Sequence, residues 1–209
     1  MPTIVTMKLK RSRPERFVIT MADETQYLIA PETALKYHLA PGVDIPESTF
    51  ARLLAEDEIQ RAKDQALRYL EIRPHSEQEL IRKLRQKRYN PPAIEAAIND
   101  LKQVDLINDH RFARQYIETE MTLRPVGKRL LLQKLRERGI PDAISTDLLE
   151  ETFKKHSESQ IARQLTAKFL KRHFHKPPEK RKAALVRFLN SKGFNWDIIQ
   201  EILEDEAFQ

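Results

Sequence analysis

Apolar residues recur three and four apart through most of this chain, the spacing that lays one stripe along an α-helix. The pattern is clearest from Arg73 to Ala113. Ser76 followed by Glu79 forms a capping box, in which the serine oxygen accepts an orphan backbone N–H and the glutamate reaches back, so a helix starts there. Leu80, Ile81 and Leu84 give it one apolar stripe, while Arg82, Lys83, Arg85 and Lys87 cover the other faces. Tyr89-Asn90-Pro91-Pro92 breaks it, because proline cannot continue a helix but suits a first turn. A second helix follows with Ile94, Ala97, Ile98 and Leu101 at helical spacing. Leu106 and Ile107 read as a buried joint, and Asn108 or Asp109 caps a third helix carrying Phe112, Ala113, Tyr116 and Ile117.

The same arrangement is written twice more. Leu84, Leu135 and Leu189 fall 51 and then 54 residues apart, and Leu80, Leu131 and Leu185 align with them, as do Tyr89, Ile140 and Phe194. Isoleucine or leucine pairs four apart follow in each case: Ile94 and Ile98, Ile144 and Leu148, Ile198 and Ile202. Such self-similarity marks stacked supersecondary units. Gly139 and Gly193 fall where a left-handed helix cap is favoured. Arg88 takes that slot in the first unit, which predicts a different turn there. The leading helices are Ile59–Leu70, His110–Leu123 and Glu158–His173, the last with its own capping box at Ser157 and Gln160.

Residues 1–56 differ in kind. Arg16-Phe-Val-Ile-Thr20 and Gln26-Tyr-Leu-Ile-Ala30 flank a short polar turn and predict a β-hairpin. A lone hairpin is marginal in water, so it must pack on the helices or on a partner. A short helix from Pro31 stops at Pro41-Gly42, and a longer helical pattern runs from Pro46 past Asp57 to Leu70. The expected fold is mainly α: tandem three-helix repeats forming an elongated curved array, with a small N-terminal hairpin. Its parts are an extension at 1–56 and repeats at 57–108, 109–155 and 156–209.

Composition narrows the class. Of 209 residues, 40% are apolar, 33% charged and 7% aromatic, which predicts helices with thin cores that lean on their neighbours. There is no cysteine, which excludes disulfides and thiolate chemistry and suits a reducing cytoplasm. No apolar run approaches the roughly 20 residues that span a bilayer, and no signal-peptide core is present. The net charge of +6 is concentrated late: between Arg163 and Lys192 ten basic residues meet one acid, Glu179. That run points to a polyanionic partner.

Catalytic chemistry has no foothold in the motifs. The chain lacks a Gly-rich phosphate loop, a His-Glu-x-x-His pair and a serine elbow, so no enzyme, cofactor or metal is expected. Asp57-Glu58 and Glu150-Glu151 are adjacent on helices, splay apart and read as solvated faces or caps. His173 and His175 lack a supporting ligand and read as surface residues. Trp196 reads as a core plug of the third repeat.

The basic residues form three groups. Arg82, Lys83, Arg85, Lys87 and Arg88 make one; Arg124, Lys128, Arg129, Arg136 and Arg138 a second; Lys171, Arg172, Lys176, Lys180, Arg181 and Lys182 bracket a proline break as the third. If the units stack into a crescent, these groups line one strip facing phosphates or an acidic protein groove.

Several pieces together resemble the RecX family of recombination regulators. They are Ala66-Leu67 through Arg73, Ser76-Glu77 with Glu79-Leu80 and Leu84, Asp109-His-Arg-Phe-Ala113, Arg124-Pro-Val-Gly-Lys-Arg-Leu130, and Leu135-Arg-Glu-Arg-Gly-Ile140. No single piece is specific; their order and spacing are. The resemblance covers roughly 60–150, the third repeat follows more loosely, and Arg88 departs from the glycine common at that turn. It implies tandem three-helix repeats in a protein of DNA recombination, repair and the SOS response; the chain is expected to be a monomer. Its partner would be the RecA filament on single-stranded DNA, and it would inhibit RecA's recombinase, ATPase and coprotease activities. A second class stays open on the residues themselves: a homeodomain-like module that contacts DNA directly, since three-helix units with a basic helix describe such readers too.

Overall fold

A computed structural model describes residues 2–11, 13–175 and 177–204. The chain divides into two compact units, Met1–Ile107 and Asn108–Gln209.

The first unit opens with three antiparallel strands in the order β1 (Ile4–Lys10), β2 (Arg16–Met21), β3 (Gln26–Ile29). The predicted hairpin is β2–β3, closed by the Thr25 carbonyl accepting from Met21 N–H at 2.9 Å. β1 extends it to a three-stranded sheet. Its register with β2 shifts between Ile4 and Thr6, so Ile4 enters the core out of step with the alternation from Met7 onward. The sheet packs its inner face with α1 (Pro31–Lys36) and the start of α2 (Glu47–Ile72) around Ile4, Ile19, Ile29 and Leu53.

α2 runs as one helix of 26 residues. Its first half serves the sheet; its second half packs on α3 (Glu77–Gln86) and α4 (Pro91–Gln103), enclosing Ala66, Leu80, Leu84, Ile98 and Leu101. Ser76 caps α3 as expected, accepting from Glu79 N–H at 3.1 Å. α4 is capped from α2: Glu58 accepts from the Asn90 backbone at 2.8 Å and from its side chain at 2.6 Å. Asp57, expected on a solvated face or as a cap, is buried. Its Oδ1 accepts from Ala30 N–H at 2.7 Å and its Oδ2 lies 2.8 Å from Arg61 Nε. Burial pushes its carboxyl above the ordinary value, against the pull of the Ala30 amide and Arg61.

The turn at Arg88 is not different. Arg88 adopts φ 64°, Gly139 76° and Gly193 83°, all left-handed. In each the next N–H reaches back to the aligned leucine carbonyl: Tyr89 to Leu84, Ile140 to Leu135, Phe194 to Leu189. This is the helix-ending geometry that glycine favours, imposed in the first repeat on an arginine.

The second unit holds α5 (Asp109–Leu123), α6 (Lys128–Glu137) and α7 (Asp142–Lys155), then α8 (Glu158–His173), α9 (Pro178–Ser191) and α10 (Trp196–Glu204). Asn108 is the cap of α5, accepting from Arg111 N–H at 2.8 Å. Two separate apolar clusters form, one around Leu131, Leu135 and Leu149, the other around Leu185, Leu189 and Phe194. Each three-helix group thus closes on its own core more fully than the composition predicted. Between the two groups the joint includes backbone and polar contacts: Gly127 N–H donates to Lys192 O at 2.9 Å, and Glu158 accepts from Lys128 N–H at 2.8 Å. Trp196 is not a plug but 59% exposed at the start of α10; Phe194 fills the core. Leu106 also leaves the expected joint, where Ile107 alone is buried.

Candidate partner-binding surface

In the first unit, Arg82 and Arg85 lie three apart on α3, exposed, on the side away from Leu80 and Leu84. Arg85 sits in the last turn, where a cation complements the helix dipole, so local stability already accounts for part of its presence. Lys83 is spent on Tyr69, with Nζ 4.7 Å from the ring centre.

In the second unit the structure sorts the second basic group. Arg136 is held bidentately by Asp142 at 2.7 and 3.0 Å, and Arg138 lies 4.0 Å over the Tyr116 ring. Arg129 donates to the Asn190 carbonyl and side chain at 3.0 and 2.6 Å, tying α6 to the end of α9. These three have structural duties. Arg124, just past α5, and Lys128, which opens α6, keep their charged groups free of any acid among the described residues.

The third group is the least explained by local stability. Lys171 and Arg172 suit the C-terminal turn of α8, but Lys180, Arg181 and Lys182 crowd the first two turns of α9, where the dipole repels cations. α9 has no side-chain cap on its N-cap Pro177, and Glu179 is the single acid nearby. Arg181 is half-buried and donates to Phe174 O at 3.3 Å. Phe174 itself is 75% exposed, flanked in sequence by the two halves of the basic run. Sequence reasoning passed over it; its place immediately after a helix end, among cations, is the signal that was there. Lys176 lies outside the described residues. Arg129 and Arg181 mark opposite ends of α9, roughly 14 Å apart along a helix rising 1.5 Å per residue. The second and third groups therefore do not merge into one spot.

A cleft of about 410 Å³ lies between α5, α7 and α8, floored by Ile117, Met121 and Leu148. Two acids line it, Glu118 and Glu151, and the second is already committed: Glu151 meets Arg114 at 3.0 Å and Lys155 at 2.8 Å. Those partners hold its carboxyl down to about 2, which makes it a poor proton donor or acceptor near neutral pH. On α5, burial would raise the Glu120 carboxyl, but Lys134 at 2.5 Å and the Tyr116 hydroxyl at 2.9 Å more than offset it.

Fold and surface together define a tandem three-helix protein with clusters of exposed cations. Residues 62–101, 108–149 and 157–203 match in order the first, second and third three-helix domains of RecX. The chain belongs to the RecX family. It is 30% identical to the regulatory protein RecX of Geobacillus thermodenitrificans over 213 residues, covering 98% of this chain and 77% of that one. It is 25% identical to that of Bacillus subtilis over 209 residues, covering 100% and 79%. Among solved structures, RecX from Lactobacillus salivarius superposes with a TM-score of 0.63 at 29% identity, over 71% of this chain and 96% of that one. Another regulatory protein RecX shares the fold at a TM-score of 0.75 and 22% identity, over 98% and 100%. No helix of the described residues is long and apolar enough to cross a membrane.

Proposed function

We propose that this protein binds the RecA filament on single-stranded DNA and restrains its recombinase, ATPase and coprotease activities, acting as a cytoplasmic monomer without catalysis of its own. The observation that carries the reading is the ordered match of all three helical domains to RecX in a chain related to regulatory RecX proteins along its length. We take the working parts as an extension at 1–56 and repeats at 57–108, 109–155 and 156–209. The filament is met by Arg82, Arg85, Arg124, Lys128, Arg129, Lys171, Arg172, Lys180, Arg181 and Lys182. Charge speeds the approach and apolar neighbours such as Phe174 supply grip.

A second reading, direct binding to DNA, draws on one observation: an exposed phenylalanine among cations is also what a single-stranded nucleic acid uses for stacking. Converting Lys180, Arg181 and Lys182 to glutamate tests both. Helicity should stay nearly intact while affinity for RecA filaments falls and its salt dependence flattens. If the triple variant loses affinity for bare DNA alone and keeps it for filaments, the run serves DNA and not the filament. Unchanged affinity for both at low salt would reduce it to solvation.

A further inference from the structure

We infer that the end of the β1–β2 hairpin is a contact for the phosphodiester backbone of nucleic acid, a site separate from the helical basic groups and independent of whether the helices engage RecA. Lys8, Lys10, Arg11 and Arg13 are all exposed, and none pairs with an acid among the described residues. Four like charges within six positions repel one another, and Glu15 is the one acid beside them.

The next basic residue shows the contrast. Arg16 is buried, reaches Asp64 of α2 at 2.6 Å and donates to the Glu15 carbonyl at 2.9 Å. That ion pair pins the hairpin to α2 at the point where the free cations begin. β3 supports β2 only as far as Phe17, opposite Ile29, whereas β1 and β2 continue to the pair Lys10 and Arg16. The two-stranded end therefore outruns the third strand, with Arg11 and Arg13 past the ladder.

Edge protection explains part of this: lysines on an edge strand discourage pairing with other chains, and β1 is an edge. It covers Lys8 and Lys10, which alternate onto one face. It does not cover Arg11 and Arg13, which have no ladder edge to guard and occupy a connection where Gly, Asn, Asp or Ser is usual. Arginine's planar fork suits phosphate oxygens bidentately, and a two-stranded ribbon is of a width that the major groove admits.

The test uses the full chain, with R11A/R13A and R11K/R13K, and fluorescence anisotropy on a labelled single strand and a duplex of equal length over a salt series. R11A/R13A should weaken binding several-fold at low salt and flatten the slope of log K against log salt by about 1 to 2, at about 0.9 per duplex phosphate and 0.7 per single-strand phosphate. R11K/R13K should keep the slope, and circular dichroism should show unchanged helix in both. Loss in the duplex arm alone places the hairpin in a groove; loss in both arms places it on the backbone generally. Wild-type slope and affinity for R11A/R13A in both arms would overturn the inference. So would a variant that binds both DNAs normally but no longer binds RecA filaments, since that assigns the hairpin to an acidic protein surface.

Discussion

At Arg88 the backbone asks for a residue the sequence does not supply. A side chain in the left-handed region costs roughly 1–2 kcal/mol, and glycine recovers most of that while adding freedom to the unfolded chain. Arg88→Gly should therefore stabilise the protein by about 0.5–1 kcal/mol in urea melts; a loss of stability would mean the arginine side chain has a fold-holding contact. The glycines differ by surroundings rather than by φ. Gly42 is also left-handed, at 85°, so backbone angle alone does not set the cap glycines apart. An added Cβ at Gly42 meets open space, but at Gly193 it would lie 2.5 Å from Leu130 N, where α6 approaches α9. Gly193→Ala should cost more than about 2 kcal/mol and Gly42→Ala about 1; equal effects would undo the close-approach argument. Glu151 gives a pH signature. With its carboxyl held to about 2 against an ordinary 4.5, its contribution is fully present above pH 4.5 and is lost as pH falls toward 2. Glu151→Gln should lower the melting temperature at neutral pH and narrow the gap to the wild type across that acid window. Parallel melting curves at every pH would remove the ion network from the account.

Among elements, the caps and stripes were legible and the exposures at joints were not. Ser76, Asn108 and Ser157 each accept the backbone N–H three residues on, as their spacing implies. The aligned leucines 84, 135 and 189 are fully buried in three separate clusters. Leu84→Ala and Leu135→Ala should each cost about 2–5 kcal/mol, and losses below about 1 kcal/mol would mean that the repeat alignment does not mark the core. β1 escaped notice because its register shift places Ile4 and Met7 on the core side with Val5 out, which disguises the period-two pattern. Trp196 and Phe174 were misjudged or overlooked for a related reason. Beside a turn, one step along the chain decides between core and solvent, and residue type does not reveal which step the turn takes. Glu58 capping α4 across 32 residues has no local sequence signal at all.

For the whole molecule, the family and its three-domain order were readable because helical periodicity, caps and turn residues recur with the same spacing in each repeat. The residues proposed to meet a partner were readable only as charge. Structure then separated cations with internal duties, such as Arg136 and Arg138, from those like Lys180 and Lys182 that oppose the dipole of their own helix. The central claim is regulation of a filament rather than occupation of its DNA. A protein acting through phosphate neutralisation inhibits only by covering the strand, whereas one held by filament contacts acts on filaments already built. The decisive measurement is ATP hydrolysis by preformed RecA filaments, titrated with this protein on two lengths of single-stranded DNA at equal total nucleotide. Inhibition at amounts well below DNA coverage, persisting when the filament is assembled first, is the predicted result; inhibition that begins only when free DNA is saturated, or that disappears on preformed filaments, would contradict it.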